Sequence, residues 1–259
     1  MVNLKNYNGF LKLFVIFLTL FFIISCSTKN HTVSKIEGKQ IPITEKENEN
    51  TEIENFIKPY REKINNDLDK VLAYNPETLE KSKGEWQTNI GNFMSDVTLL
   101  KGNTVFNKRE NKNIDICLLN DGGIRSILPK GAVSARNAFE IMPFENSLVV
   151  IALKGEQIQE IVTFFIKDKS PHPLSGLTFS IDKKNEAKNI LVQGKPIENS
   201  TIYYVATNDY LANGGGGMDF FKKGSRKFDL DYKLRNILID YFTDVDTLKV
   251  KKDIRILIE

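Results

Sequence analysis

The chain has 259 residues, 41% hydrophobic and 27% charged, with 36 basic against 33 acidic residues and two cysteines. That balance, with no basic stripe interleaved with aromatic residues, excludes nucleic acid as the expected partner. Beyond Cys26 the only cysteine is Cys117, inside an apolar run, so no disulfide forms within the folded part and Cys117 reads as a small buried hydrophobe.

Lys5 and Lys12 lead into an apolar stretch at 13–24, followed by Ser25 and Cys26. The stretch is short for a membrane span, and Ile23-Ile24-Ser25-Cys26 looks like a lipobox, in which the leader is cut and the cysteine is lipidated. An uncleaved anchor helix is the other reading. Both hold the remainder at a membrane, in the cell envelope, facing the periplasm or exterior. With the leader removed, 36 basic residues less Lys5 and Lys12 leave 34 facing 33 acidic ones. The chain is thus divided into a signal at 1–25, the lipidated Cys26 with a polar tether to 52, and a domain at 53–259. The tether is rich in Lys, Glu, Asn and Thr, and His31 in it reads as a solvated linker residue.

Apolar residues at 53, 57, 60, 64, 68 and 71 predict a helix, with Pro59 in a first turn or at a kink. Tyr74-Asn75-Pro76 ends it, and 79–84 is a weak strand. Thr88 or Asn89 caps the next helix, which buries Ile90, Phe93, Met94 and Val97. The run IDICLLNDGGIR at 114–125 predicts a strand buried on both faces, ending in a tight loop. Gly122 and Gly123 are expected at positive φ, admitting a ligand close to the backbone. Asn120 and Arg125 then stand at the strand end, where open α/β sheets hold ligands. Locally, a plain turn with a solvated arginine fits equally well.

Ser134 caps a short helix that Pro143 closes, and Phe144 follows before the strand SLVVIAL. A helix after Gly155 buries Ile158, Ile161, Val162 and Phe165. The segments 177–181 and 190–192 form a hairpin. Residues 202–206 form another buried strand, ending in NDYLANGGGG. A helix at 232–242 and a strand at 254–258 close the chain. The expected fold is α+β, a mixed α/β sheet with packed helices.

Two buried strands thus end in an Asn and a glycine cluster. Arg125 matches a phosphate or carboxylate in bidentate fashion. Phe144 and Tyr210 can sandwich a flat heterocycle, each ring stabilising it by roughly 1–3 kcal/mol. Asn146 can read the edge of such a ring.

The motifs QTNIGNFMSD, LLNDGGIRS, FEIMPFENSLVVIALKGEQI, SGLTF and YYVATNDYLANGGGG stand in one order from about 85 to 221. By them the chain resembles the C-terminal domain of the 5'-nucleotidase family, which includes periplasmic UDP-sugar hydrolases and ecto-5'-nucleotidases. The resemblance implies a domain that holds a nucleotide or nucleoside while a separate domain does the chemistry. It assigns Asn120 and Arg125 to the sugar and phosphate side, Phe144 and Tyr210 to the rings clamping the base, and Asn146 to the base edge, with Gly123 among the substrate-binding residues. Two departures touch this site: Gly216 stands where the family's ribose-binding Asp is expected, and Trp86 stands near the place of a phosphate-binding Arg.

The third departure concerns catalysis. His31 and His172, the only histidines, cannot build a dinuclear phosphoesterase centre. No catalytic residue and no cofactor is therefore assigned to this chain. A divalent metal is expected only in a partner metallophosphoesterase, and whether the chain acts as an enzyme alone stays open. The alternative is a non-catalytic lipoprotein that captures nucleosides or nucleotides.

Overall fold

The computed structural model describes residues 7–23, 33–44, 47, 49–82 and 84–259. The chain divides into two compact units, Met1–Thr51 and Glu52–Glu259. In the first, helix α1 (Tyr7–Ile23) covers most of the apolar leader. Among the described residues no helix is long and apolar enough to cross a membrane. Cys26 and His31, the residues assigned to lipidation and to the tether, lie outside the described residues.

The second unit begins with α2 (Thr51–Asp69), where Pro59 sits in the helix interior rather than its first turn. None of its residues is buried, and Phe56, Tyr60 and Ile64 are exposed. The helix ends two residues before the apolar stripe does, because the next segment turns into β1 (Val71–Asn75). Tyr74 and Asn75 therefore lie in a strand, not a helix break. Asn75 is buried there, and its amide donates to the carbonyls of Leu128 (3.1 Å) and Pro129 (3.0 Å). Among the described residues of 79–84 no strand forms; Leu79 makes an isolated bridge to Leu128.

Helix α3 (Asn89–Glu110) is capped by Thr88, whose Oγ1 accepts the Gly91 N–H at 3.1 Å, satisfying one orphan donor of the first turn. Next come β2 (Ile116–Leu118), a 3-10 turn at Asp121–Gly123, β3 (Gly131–Ser134) and α4 (Ala135–Ile141). They are followed by β4 (Ser147–Lys154), α5 (Gly155–Asp168), β5 (Leu174–Ser175), β6 (Leu177–Ile181), β7 (Ala187–Val192) and β8 (Lys195–Pro196). The chain closes with β9 (Ile202–Asn208), α6 (Asp209–Ala212), β10 (Arg226–Lys233), α7 (Leu234–Asp244) and β11 (Ile256–Ile258).

The central sheet has the order β10-β4-β9-β2-β5, with β2 and β9 parallel and the other pairs antiparallel. A second sheet, β11-β6-β7-β8, contains the expected hairpin, and β1 pairs with β3. The fold is α+β with mixed sheets. Because side chains alternate across a strand, the central sheet feeds two cores. Cys117, Leu148, Val150 and Ala206 face one, with α3, α4 and α7. Ile116, Leu118, Val149, Ile151 and Val205 face the other, with α5 and the second sheet. That double burial explains why 114–119 and 147–153 read as nearly unbroken apolar runs.

Tyr232, expected in the last helix, lies in β10 instead, a strand whose charged outer face hid it. The C-terminal segment is fixed by Arg255, 3% exposed. Its Nη2 donates to Asp96 Oδ2 (2.8 Å) and Asp253 Oδ1 (3.2 Å), and its Nη1 to Ser95 Oγ (3.1 Å) and the Leu174 carbonyl. Such satisfied burial of a guanidinium ties α3, β5 and β11 together.

Candidate functional site

Strand topology gathers the site at one edge of the central sheet. Since β2 and β9 run parallel, their ends put Asn120 and Asn208 side by side, and Asn208 Nδ2 donates to Asn120 Oδ1 at 3.2 Å. Strand β4 runs antiparallel to β9 with Leu148 opposite Asn208, so the chain entering β4 brings Phe144 and Asn146 to the same edge. Helix α6 starts directly after β9 and presents Tyr210. Together Asn120, Gly122, Gly123, Phe144, Asn146 and Tyr210 line a cavity of about 340 Å³. Phe144 is 42% and Tyr210 51% exposed, so neither ring is committed to the core.

Each wall has its own support. Contrary to the expectation of positive φ, Gly122 and Gly123 are not among the residues with left-handed backbone; Asp121–Gly123 is a 3-10 turn, compatible with ordinary φ. Glycine at 123 answers instead to crowding, since a Cβ there would lie 3.3 Å from Asn120 Oδ1. The turn is held from two sides. Lys81 Nζ donates to the Asp121 carbonyl at 3.1 Å and pairs with Asp121 Oδ2 at 2.9 Å. On the other side His172 Nδ1 accepts the Asp121 N–H at 3.1 Å. That bond places the ring proton on Nε2, which faces Asp168 Oδ2 at 2.9 Å. Burial holds the His172 pKa below its ordinary value, against the opposing pull of Asp168. A loop histidine between two prolines thus braces the Asn120 turn, a role no local sequence signal announced.

The Phe144 segment is braced by the start of α7. Lys233 Nζ donates to the Glu145 carbonyl (2.7 Å) and Ser147 Oγ (3.0 Å), and Leu234 N–H donates to the Asn146 carbonyl (3.0 Å). Arg235, 8% exposed, pairs with the Glu145 carboxylate and holds its pKa below the usual range. The side-chain amide of Asn146 takes no part in this, which leaves its donors and acceptor for the cavity.

Tyr210 lies over the glycine run. A Cβ at Gly215 would fall 2.5 Å from Tyr210 Cζ, so the ring sits directly against that backbone. The Gly216 N–H donates to Tyr210 Oη at 3.1 Å.

All of the cavity-lining residues fall within residues 70–223, which match the family model described as "5'-nucleotidase, C-terminal domain". The chain belongs to the 5'-nucleotidase C-terminal domain family. It is 25% identical over 226 residues to the trifunctional nucleotide phosphoesterase YfkN of Bacillus subtilis, covering 81% of this chain and 15% of that one. It is 24% identical over 176 residues to the cell wall protein Lmo0130 of Listeria monocytogenes, covering 60% and 21%. The crystal structure of a 5'-nucleotidase precursor from Thermus thermophilus shares the fold, with a TM-score of 0.65 at 24% identity over 79% of this chain and 42% of that one. The chain therefore spans less than half the length of these relatives.

Within this 5'-nucleotidase C-terminal domain, Arg125 stands apart from the other five assigned residues. It is exposed, its Nη1 donates to the Gly122 carbonyl at 3.3 Å, and it lines a neighbouring cavity of about 380 Å³ with Glu80, Lys81 and Ser82. The Asp121–Gly123 turn separates the two spaces. One is uncharged and flanked by rings; the other carries two cations and one carboxylate. Trp86 lines neither and packs instead against the core on the α5 side of the central sheet. Among the described residues no three His, Cys, Asp or Glu side chains are grouped to hold a metal. The described residues of the domain do not fit the metal pair of a phosphoesterase.

Proposed function

We propose that this domain is the nucleotide-recognition part of a 5'-nucleotidase system, positioning its ligand for a separate metallophosphoesterase that cuts the phosphate ester. The observation that carries this reading is the pairing of two cavities across one turn. A planar base suits the uncharged space between Phe144 and Tyr210, with Asn146 at its edge and Asn120 toward the sugar. A phosphate reaching past Gly123 meets Arg125 and Lys81. Holding the ester in one orientation is how such a domain accelerates a reaction whose metal and water lie elsewhere. The Lipobox-like Ile23-Ile24-Ser25-Cys26 supports a lipid anchor at Cys26 and work in the cell envelope, as does likeness to a relative named as a cell wall protein.

The test is a pull-down of the chain from its own membrane fraction, followed by a phosphatase assay with added divalent metal. The expected result is a co-purifying phosphoesterase whose activity on nucleotides falls with Arg125→Ala or Phe144→Ala. Full activity from the purified chain alone would overturn the division of labour. A second reading, capture of nucleosides without hydrolysis, is favoured by the lack of charge in the first cavity. It requires adenosine and AMP to bind with equal affinity, whereas the first reading requires Arg125→Ala to weaken AMP and spare adenosine.

A further inference from the structure

The cavity wall carries a second message, about the sugar. Resting on the nucleotide reading of this site, we propose that it grips the base and takes no hold on the ribose cis-diol. Ribo- and 2'-deoxyribonucleotides of one base then bind alike.

In dinucleotide-binding folds, a site that selects ribose sets an acceptor carboxylate on its hydroxyls. None lines this cavity: its polar side-chain groups are the amides of Asn120 and Asn146 and the Tyr210 hydroxyl. The carboxylates of the flanking segments each hold a partner through one oxygen, and the second oxygen of Asp121 is buried away from the cavity. Asp121 Oδ2 holds Lys81, Asp209 Oδ1 accepts the Tyr210 N–H at 2.9 Å, and Asp219 Oδ1 holds Lys222 at 2.7 Å. Asn208 is also taken, since it is 1% exposed and its Oδ1 accepts the Leu211 N–H at 2.8 Å.

The glycine run offers the sugar only backbone. Its donor at the rim of the Tyr210 ring, the Gly216 N–H, is bound to the Tyr210 hydroxyl. That hydroxyl therefore does two things at once: it fixes the stacking ring and closes off the loop donor nearest to it. What remains for the ligand is ring stacking, the amide of Asn146 and one donor, Asn120 Nδ2, on the sugar side. Stacking and the Asn146 contact read the base, which ribo- and deoxyribonucleotides share, and a lone donor offers no acceptor for the two hydroxyl protons of a cis-diol. Such a site suits the mixed pool of mononucleotides that nuclease digestion of DNA and RNA releases.

The same geometry shows how to reverse the property. Gly216 has φ of +64°, a left-handed conformation that Asp tolerates better than most residues, and a Cβ there would meet only Leu211 Cδ2 at 3.5 Å. Gly216→Asp therefore places a carboxylate at the rim of the ring without a backbone clash.

The experiment is calorimetric titration of the full chain with the four ribo/2'-deoxy monophosphate pairs, for the natural sequence and for Gly216→Asp. The expected result is agreement within about threefold inside every pair that binds, and a ribo preference of about tenfold or more in Gly216→Asp, the effect of a hydrogen bond to a charged acceptor. A tenfold ribo preference in the natural sequence overturns the proposal while leaving the nucleotide reading intact. An unchanged ratio in a folded Gly216→Asp overturns the placement of the sugar beside residue 216. Failure of every pair to bind removes the nucleotide reading and this proposal together.

Discussion

Gly215→Ala isolates the aromatic clamp from the rest of the fold. The added methyl would overlap the Tyr210 ring, at 2.5 Å from Cζ and 2.6 Å from Cε1 and Cε2. The atoms it meets belong to the end of a half-exposed side chain, so the ring swings away rather than the backbone yielding. Gly215 is not in a left-handed conformation, so alanine there costs no backbone strain and trims the freedom of the unfolded chain by about 0.4–1 kcal/mol. Losing the Gly216–Tyr210 hydrogen bond costs about 0.5–1.5 kcal/mol. These nearly cancel, and the melting temperature is expected to stay within a few degrees. Binding responds differently. A displaced ring forfeits its stacking, about 1–3 kcal/mol, or roughly a 5- to 150-fold loss of affinity. Calorimetry with AMP and thermal unfolding of the same preparation separate the two effects. Unchanged affinity at unchanged stability would refute the placement of Tyr210 over Gly215. A large drop in melting temperature would assign the ring to packing instead.

Phe144→Ala, on the opposite wall, should weaken AMP by a similar roughly 5- to 150-fold while leaving the urea midpoint unmoved, since the ring is not in the core. Arg255→Met removes a buried partner of Asp96 and should lower unfolding free energy by about 3–5 kcal/mol, read from the midpoint in urea. His172 makes stability pH-dependent. The unfolded chain protonates it near 6.5 and the folded chain only at lower pH, so stability falls as pH drops from above 6.5 through the folded pKa. Asp168, whose carboxyl is held low first by Ser170 and then by His172, loses its contribution only below its ordinary 3.8, in a separate window. Urea unfolding at pH 7.5 and 5 should show this loss, and His172→Gln should flatten it.

Much of the candidate site was legible because strands buried on both faces leave a local signature. IDICLL and SLVVIAL announce double burial, and polar tips beyond such strands mark the ligand edge. Asn120, Phe144, Asn146 and Tyr210, singled out by such patterns and by the motif resemblance, line one cavity. The braces were not legible. His172, Lys233 and Arg235 reach the site across long sequence separations, and nothing around them distinguishes a brace from a surface residue. Strand β1 was missed because Val71 and Leu72 continue a helical spacing that only pairing with β3 overrides. In β10 the alternation of Phe228 and Leu230 with Asp was present, but its charged outer face reads equally well as a loop. Arg125 shows the limit in the other direction. Five residues from Asn120 in sequence, it lines a different space, with the Asp121–Gly123 turn between them.

Cys117 gives this fold an internal gauge. It is the sole thiol of the unit Glu52–Glu259, it sits fully buried in β2 at the interior of the central sheet, and burial pushes its pKa well up. Only a thiolate attacks an alkylating reagent, so the folded domain should ignore one. Modification then waits for β2 to leave the sheet, and its rate in plain buffer measures how often the ligand edge itself comes apart, with no denaturant and no engineered probe.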